Sequence, residues 1–184
     1  MTASVPLTAG ISMLSGSYFD YLNPEAAQLV IDDIATPLAN ICRFAGHLPI
    51  FYSVAQHAVN CSLIVPDEFA FDALMHDTAE ALTNDIPTPL KTALPVFKEL
   101  EIKIEAAMSV KFGFTYPLAP EVKLADSQML GLEMTHVKGL KERWQVLDGI
   151  EWEHLLPLVD LTSWTPRLAK RNFLQRYEEL RPNA

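Results

Sequence analysis

Between Val96 and Phe112 the apolar residues Phe97, Leu100, Ile104, Ala107 and Met108 recur at intervals of three and four. Gly113 stands where such a helix would stop, so this segment predicts a helix with a glycine end. Ser53, with Gln56 three residues on, has the form of a capping box, and Val54, Ala58, Cys61 and Leu63 follow at near-helical spacing. That places His57 in the first turns of a helix. The next run, PDEFAFDALMHDTAEALTND, opens on a helix-start signature at Pro66 and Asp67, carries Phe69, Leu74 and Met75 among its apolar positions, and then meets His76 and Asp77. Pro87 and Pro89 predict a loop beside that doublet, because proline lacks the amide proton and restricts the residue before it. Two further helices are predicted, from Pro120 to about Lys138 with Leu124, Met129, Leu132 and Met134, and from Pro166 to about Leu180. No strand alternation competes with these patterns, and no internal repeat or linker divides the chain. The expectation is an all-α, single-domain helical bundle over residues 1–184.

At 184 residues and 49% hydrophobic content, the chain can bury an adequate core without a metal or disulfide staple, so any bound metal is free to serve chemistry. The N-terminal MTASVPLTAGISML has no basic region ahead of an apolar run, and no stretch approaches the roughly 18 apolar residues of a membrane span, so neither export nor a membrane partner is expected. Cys42 and Cys61 sit in helix-like apolar patterns at a spacing unlike a zinc pair, and read as buried free thiols in a cytoplasmic protein. The formal charge of −9 argues against a nucleic-acid polymer as partner. A small anionic substrate is compatible with that charge if local cations receive it.

The chemistry-bearing residues are polar groups set in stretches of Ala, Leu, Val and Met. His57 lies in SVAQHAV, His76 and Asp77 in ALMHD, and Asp126 in LADSQML, so three helices offer ligands to one interior. Two imidazoles and two carboxylates suit a divalent ion such as Zn²⁺, Co²⁺, Mn²⁺ or Fe²⁺. In favourable sites such an ion lowers the pKa of a bound water to about 7 and polarises a phosphoryl oxygen, which makes hydrolysis the natural reaction. Glu80, three residues beyond Asp77, shares its face on a continuing helix and could act on the attacking water. Asp85, beside the prolines, reads first as a turn residue. Arg43, among apolar neighbours in ICRFAGH, and Lys91, after the proline segment, are the cations selected for phosphate; a structural ion pair is the rival reading of Arg43. His47, His136 and His154 read as packing or structural histidines, and Trp144, Trp152 and Trp164 as core anchors.

The order His57, His76-Asp77, then Asp126, resembles the HD superfamily of metal-dependent phosphohydrolases. ICRFAGH, FYSVAQH, HDTAEAL and DIPTPLK look like the branch containing bacterial 5′-deoxynucleotidases and phage dATP triphosphohydrolases. The resemblance implies an HD-type helical fold and a divalent metal held by His57, His76, Asp77 and Asp126. It implies Glu80 and Asp85 as acidic groups near the water or substrate, Arg43 and Lys91 on phosphate, and a homo-oligomer. Glu80 is followed by Ala81, where alarmone hydrolases of the superfamily have a second acidic residue, so alarmones are the poorer match.

The expectation is therefore hydrolysis of deoxynucleotide phosphates. A monophosphate would give deoxynucleoside and orthophosphate, and a triphosphate such as dATP would give deoxynucleoside and tripolyphosphate. The alternatives are a non-catalytic metal- and nucleotide-binding sensor, and a helical scaffold whose polar residues are satisfied core groups.

Overall fold

The structure is a computed structural model, and it describes residues 9–140 and 144–182. The first part of the stretch read for an export segment, residues 1–8, lies outside the described residues. The chain is mostly helical, as expected. Its eight α-helices among the described residues are α1 (Ile31–Asn40), α2 (Val54–Ile64), α3 (Ala70–Met75), α4 (Glu80–Thr83), α5 (Thr88–Ala93), α6 (Pro95–Phe112), α7 (Pro120–Leu132) and α8 (Pro166–Leu180). A small antiparallel hairpin precedes them, β1 (Gly10–Ser12) and β2 (Tyr18–Asp20), with Ile11 opposite Phe19. Its strands are three residues each, too short to show a period of two. Asp33 ties the hairpin to α1, accepting the Ser15 amide at 2.8 Å while its other oxygen accepts the Val30 amide at the helix start.

Helix α2 is the axis of the molecule. Its residues Val54 to Ser62 are all buried, so it needs apolar or satisfied surroundings on every side. Ser53 caps it, accepting the Gln56 amide at 3.1 Å, but the Gln56 side chain bonds to Asp160, Thr162 and Trp164 instead of completing the expected capping box. Ala55 and Ala58 face one cluster, built with Leu38 of α1, Leu74 of α3, Ile104 and Met108 of α6 and Phe173 of α8. Cys61 faces a second cluster with Ala73 of α3 and Val122, Ala125 and Met129 of α7. Each large aliphatic residue fully buried in this way stabilises the fold by roughly 1.5–3 kcal/mol. Gly113 ends α6 in the left-handed region at φ 80°, where its missing Cβ removes the usual penalty.

Several local expectations give way to the structure. The Pro87–Pro89 segment is not all loop: α5 begins at Thr88, and Pro89 sits in its first turn, where no amide proton is required. The helix carrying the His-Asp doublet does not run on to Glu80. It breaks into tight turns over residues 76–79, where the Glu80 and Ala81 amides bond back three residues, to Asp77 and Thr78. Two side chains take carbonyls there: the His76 ring reaches Ala73 O at 2.7 Å and the Thr78 hydroxyl donates to Met75 O at 2.8 Å. Leu124 and Trp144 are exposed rather than core, Trp144 meeting Phe44 edge-on, whereas Trp164 is buried. Trp152 is half-buried against Gly131, where an added Cβ would lie 2.4 Å from its ring. Cys42 lies in an extended bridge to Ser53 and is half-buried, not helical. Among the described residues no helix is long and apolar enough to cross a membrane.

Candidate metal centre

Three elements deliver their polar groups to one point between α2, α3 and α7. His57 comes from the second turn of α2, His76 and Asp77 from the turns after α3, and Asp126 from the middle of α7. The His57 and His76 rings are 5.3 Å apart, centre to centre. Asp126 Oδ1 is 3.1 Å from His57 Nε2 and 3.9 Å from His76 Nε2. Asp77 Oδ2 is 3.2 Å from His76 Nε2 and 3.7 Å from His57 Nε2. The His57 side chain is fully buried and that of His76 is 5% exposed, while Asp126 at 46% forms the open edge of the cluster.

The far side of each ring fixes which nitrogen faces the cluster. His57 Nδ1 lies 2.6 Å from the buried carboxylate of Glu133, and His76 Nδ1 lies 2.7 Å from the Ala73 carbonyl. A carbonyl only accepts, and Glu133 is held ionised, so each Nδ1–H donates outward and each Nε2 turns inward. This is the way ligating histidines are commonly oriented. His76 Nε2, Asp77 Oδ2 and Glu80 Oε2 are buried without a hydrogen-bond partner, although His76 Nε2 and Asp77 Oδ2 are close neighbours. Buried polar atoms without a hydrogen-bond partner are costly and uncommon, and two of these, His76 Nε2 and Asp77 Oδ2, meet at the cluster.

The charges respond to that crowding. Burial disfavours charge on His76, but Asp77 and Asp126 outweigh it and hold its pKa up at about 10. Burial and Arg43 disfavour charge on His57, yet Cys61, Glu133 and Asp126 raise its pKa well above the usual value. Asp77, although buried, is held well below the carboxylate range by His76, His57 and Arg43. Protons on the imidazoles thus offset the carboxylates where a cation would otherwise do so.

Four donors, from His57, Cys61, His76 and Asp126, lie within 4.8 Å of one another and could hold a metal ion. This set contains Cys61, and Asp77 stands beside it, closest to His76. Glu80 opens α4 and is buried; burial, Asp77 and Asp85 raise its pKa well above the ordinary value. Asp85 is half-buried in the turn before α5, where burial raises its pKa against the pull of Arg43. Lys91 Nζ is 3.8 Å from Glu80 Oε1 but closer, 2.6 Å, to Glu101. Arg43 is buried: its Nε donates to Glu133 at 2.9 Å and its Nη1 is 3.7 Å from Asp77. The ion-pair reading of Arg43 is therefore part of its role, whatever else it binds. Phe44 and Ala45, directly after it, adopt positive φ of 56° and 51°, a strained turn of the kind that clusters at functional sites.

No protein-family model matches the chain. Over 172 residues it is 46% identical to the uncharacterized protein YfdR of Escherichia coli K12, an alignment covering 92% of the chain and 94% of the relative. The chain belongs to the YfdR family. It is also 33% identical over 148 residues to an uncharacterized protein of Rhodobacter capsulatus, covering 71% of the chain and 74% of that relative.

Two residues of this YfdR-family site escape the sequence reading. Glu133 is the hub that orients His57 and neutralises Arg43, at the point where α7 passes into a π turn over Glu133–Val137. Its signal was a lone acid in the apolar run LGLEM. Cys61 had a signal too, standing four residues after His57 on one face of α2. His47 is exposed, its carbonyl accepting from Lys138, and His154 is exposed as well. His136 does have an acidic neighbour, Glu153, 3.0 Å away at the surface and distant in sequence.

Proposed function

We propose that this chain is a metal-dependent phosphohydrolase of the HD type that acts on deoxynucleotide phosphates. The observation that carries the reading is the convergence of His57 Nε2, His76 Nε2, Asp77 Oδ2 and Asp126 Oδ1, with His76 Nε2 and Asp77 Oδ2 buried and without a hydrogen-bond partner. Nitrogen and carboxylate donors so placed fit a borderline divalent ion, with His57, His76, Asp77 and Asp126 as its holders. When bound, such an ion supplies acidity to water and polarises a phosphoryl oxygen.

The remaining steps fall to the chain's own groups. Substrate enters past Asp126, the open edge. Glu80, whose pKa lies above the usual carboxylate range, accepts a proton from the water that attacks phosphorus. The phosphoester bond to the leaving oxygen then breaks, and Glu80 can return the proton to it. Lys91 stands within reach of Glu80, where it offsets charge on the phosphoryl oxygens, and Arg43 adds positive potential from behind Asp77. Asp85 shapes the field at Glu80. Attack at the α-phosphorus serves a monophosphate and a triphosphate alike.

The test is product analysis with Co²⁺ or Mn²⁺ and a panel of deoxynucleoside mono- and triphosphates, with Asp77→Ala as control. Orthophosphate from monophosphates assigns a nucleotidase, and tripolyphosphate from triphosphates assigns a triphosphohydrolase. Absence of any metal-dependent product overturns the reading, and nucleotide binding without turnover would instead mark a sensor.

A further inference from the structure

We infer that Cys61 is a thiolate ligand of this centre, joining His57 on the same face of α2, so that the site is a sulfur-containing one with a preference for softer divalent ions. The inference rests on the metal-site reading above and adds a donor to it.

Cys61 is four residues after His57, and on an α-helix that spacing brings two side chains onto one face. Its Sγ is 3.4 Å from His57 Nε2, the nitrogen left inward by the Glu133 contact. The thiol therefore sits on the ligand side of the ring. A cysteine that merely filled space in the second core cluster would need only apolar neighbours, which Ala73, Ala125 and Met129 provide. Cys61 has those neighbours and also lies, with His57, His76 and Asp126, in a group whose donor atoms are all within 4.8 Å of one another. An independent observation aims at the same point: His76, from a different element, directs its Nε2 inward with its side chain 5% exposed and no hydrogen-bond partner.

Thiolate coordination breaks the S–H bond, forms a sulfur–metal bond and releases the proton to solvent. It favours Zn²⁺ and Co²⁺ over Mn²⁺ or Mg²⁺, which prefer oxygen. Cys42, half-buried in the bridge to Ser53, is outside the donor group and serves as an internal control.

The experiment is optical spectroscopy of the full chain loaded with Co²⁺, alone and as Cys61→Ala, Cys61→Ser and Cys42→Ala. The expected result is a near-ultraviolet thiolate-to-cobalt charge-transfer band in the parent and in Cys42→Ala. That band is lost in both Cys61 variants, while the visible d–d bands of bound cobalt persist. Visible bands without the charge-transfer band in the parent overturn Cys61 as a ligand and leave the four-residue centre standing. No cobalt binding by the parent overturns the centre itself, and the inference with it. Circular dichroism on each variant separates a lost band from a lost fold, and Cys61→Ser supplies the conservative variant if Cys61→Ala fails to fold.

Discussion

Helix α2 carries two polar pairs one residue apart, Gln56 with Asn60 and His57 with Cys61, and the protein treats them in opposite ways. Gln56 and Asn60 are fully buried and fully spent. The Gln56 amide donates to the carbonyls of Asp160 and Thr162, and its oxygen accepts from the Trp164 amide. Asn60 donates to Tyr52 and to the Asp160 carbonyl, and accepts from the Asp160 amide. Together they clamp the segment leading into α8. His57, by contrast, sets Nδ1 against Glu133 and turns Nε2 toward Cys61 and Asp126, into a cluster where His76 Nε2 and Asp77 Oδ2 lack hydrogen-bond partners. Polar groups on one buried helix thus divide into those that finish the fold and those held open for a ligand.

The largest effect that sharpens this contrast is expected from Glu80→Gln, which should lower turnover by about 10²–10⁴-fold, the usual scale for a general base. The same change should stabilise the protein at neutral pH. Burial together with Asp77 and Asp85 raises the Glu80 pKa, so folding favours its neutral form. The ionisation cost is absent below the ordinary value of 4.5 and grows as pH rises through the raised pKa. Chemical denaturation at pH 7 should therefore show a gain for Glu80→Gln that vanishes near pH 4; a loss of stability at pH 7 would remove Glu80 from the open set.

Glu133 belongs to both sides of the comparison, because it satisfies Arg43 and also aims His57. Glu133→Ala leaves a buried guanidinium without its closest partner and should cost about 3–5 kcal/mol, measured by urea unfolding. Glu133→Gln keeps an acceptor for His57 and should fold better, yet lower metal affinity by roughly 10–100-fold in calorimetric titration. On the closed side, Gln56→Ala and Asn60→Ala should each cost about 1–3 kcal/mol and leave metal affinity unchanged. Both bond to the Asp160 carbonyl, so their effects should not add.

The same division explains what could be read from the chain. Signals carried by a few adjacent residues were legible: the Ser53 cap, the period of α6 with its Gly113 stop, and the proline that opens α8. His57, His76, Asp77 and Asp126 stood out as polar residues inside apolar runs. The hairpin was hidden by its length, and the break between α3 and α4 by side chains competing for backbone carbonyls. Glu133 was obscured for a different reason: a glutamate on a helix usually faces water, and only tertiary packing brings Arg43, 90 residues away, against it.

The smallest predicted effect probes the closed network at its solvent end. Asp160 is exposed; what burial it has opposes its charge, but the hydrogen bonds it accepts together outweigh that. The Thr162 hydroxyl at 2.6 Å, the Trp164 indole at 2.8 Å and the Thr162 amide at 2.9 Å donate to its carboxylate and lower its pKa from 3.8. A carboxyl with a lowered folded pKa contributes stability above its unfolded value, and that contribution disappears as pH falls through the folded one. Because water screens the group, the contribution should stay below about 1 kcal/mol. The stability difference between the parent and Asp160→Ala should hold steady from pH 7 to about pH 5 and shrink below pH 4. If the difference is flat across that range, the carboxylate's charge is irrelevant and the clamp on α8 rests on the Gln56 and Asn60 amides alone.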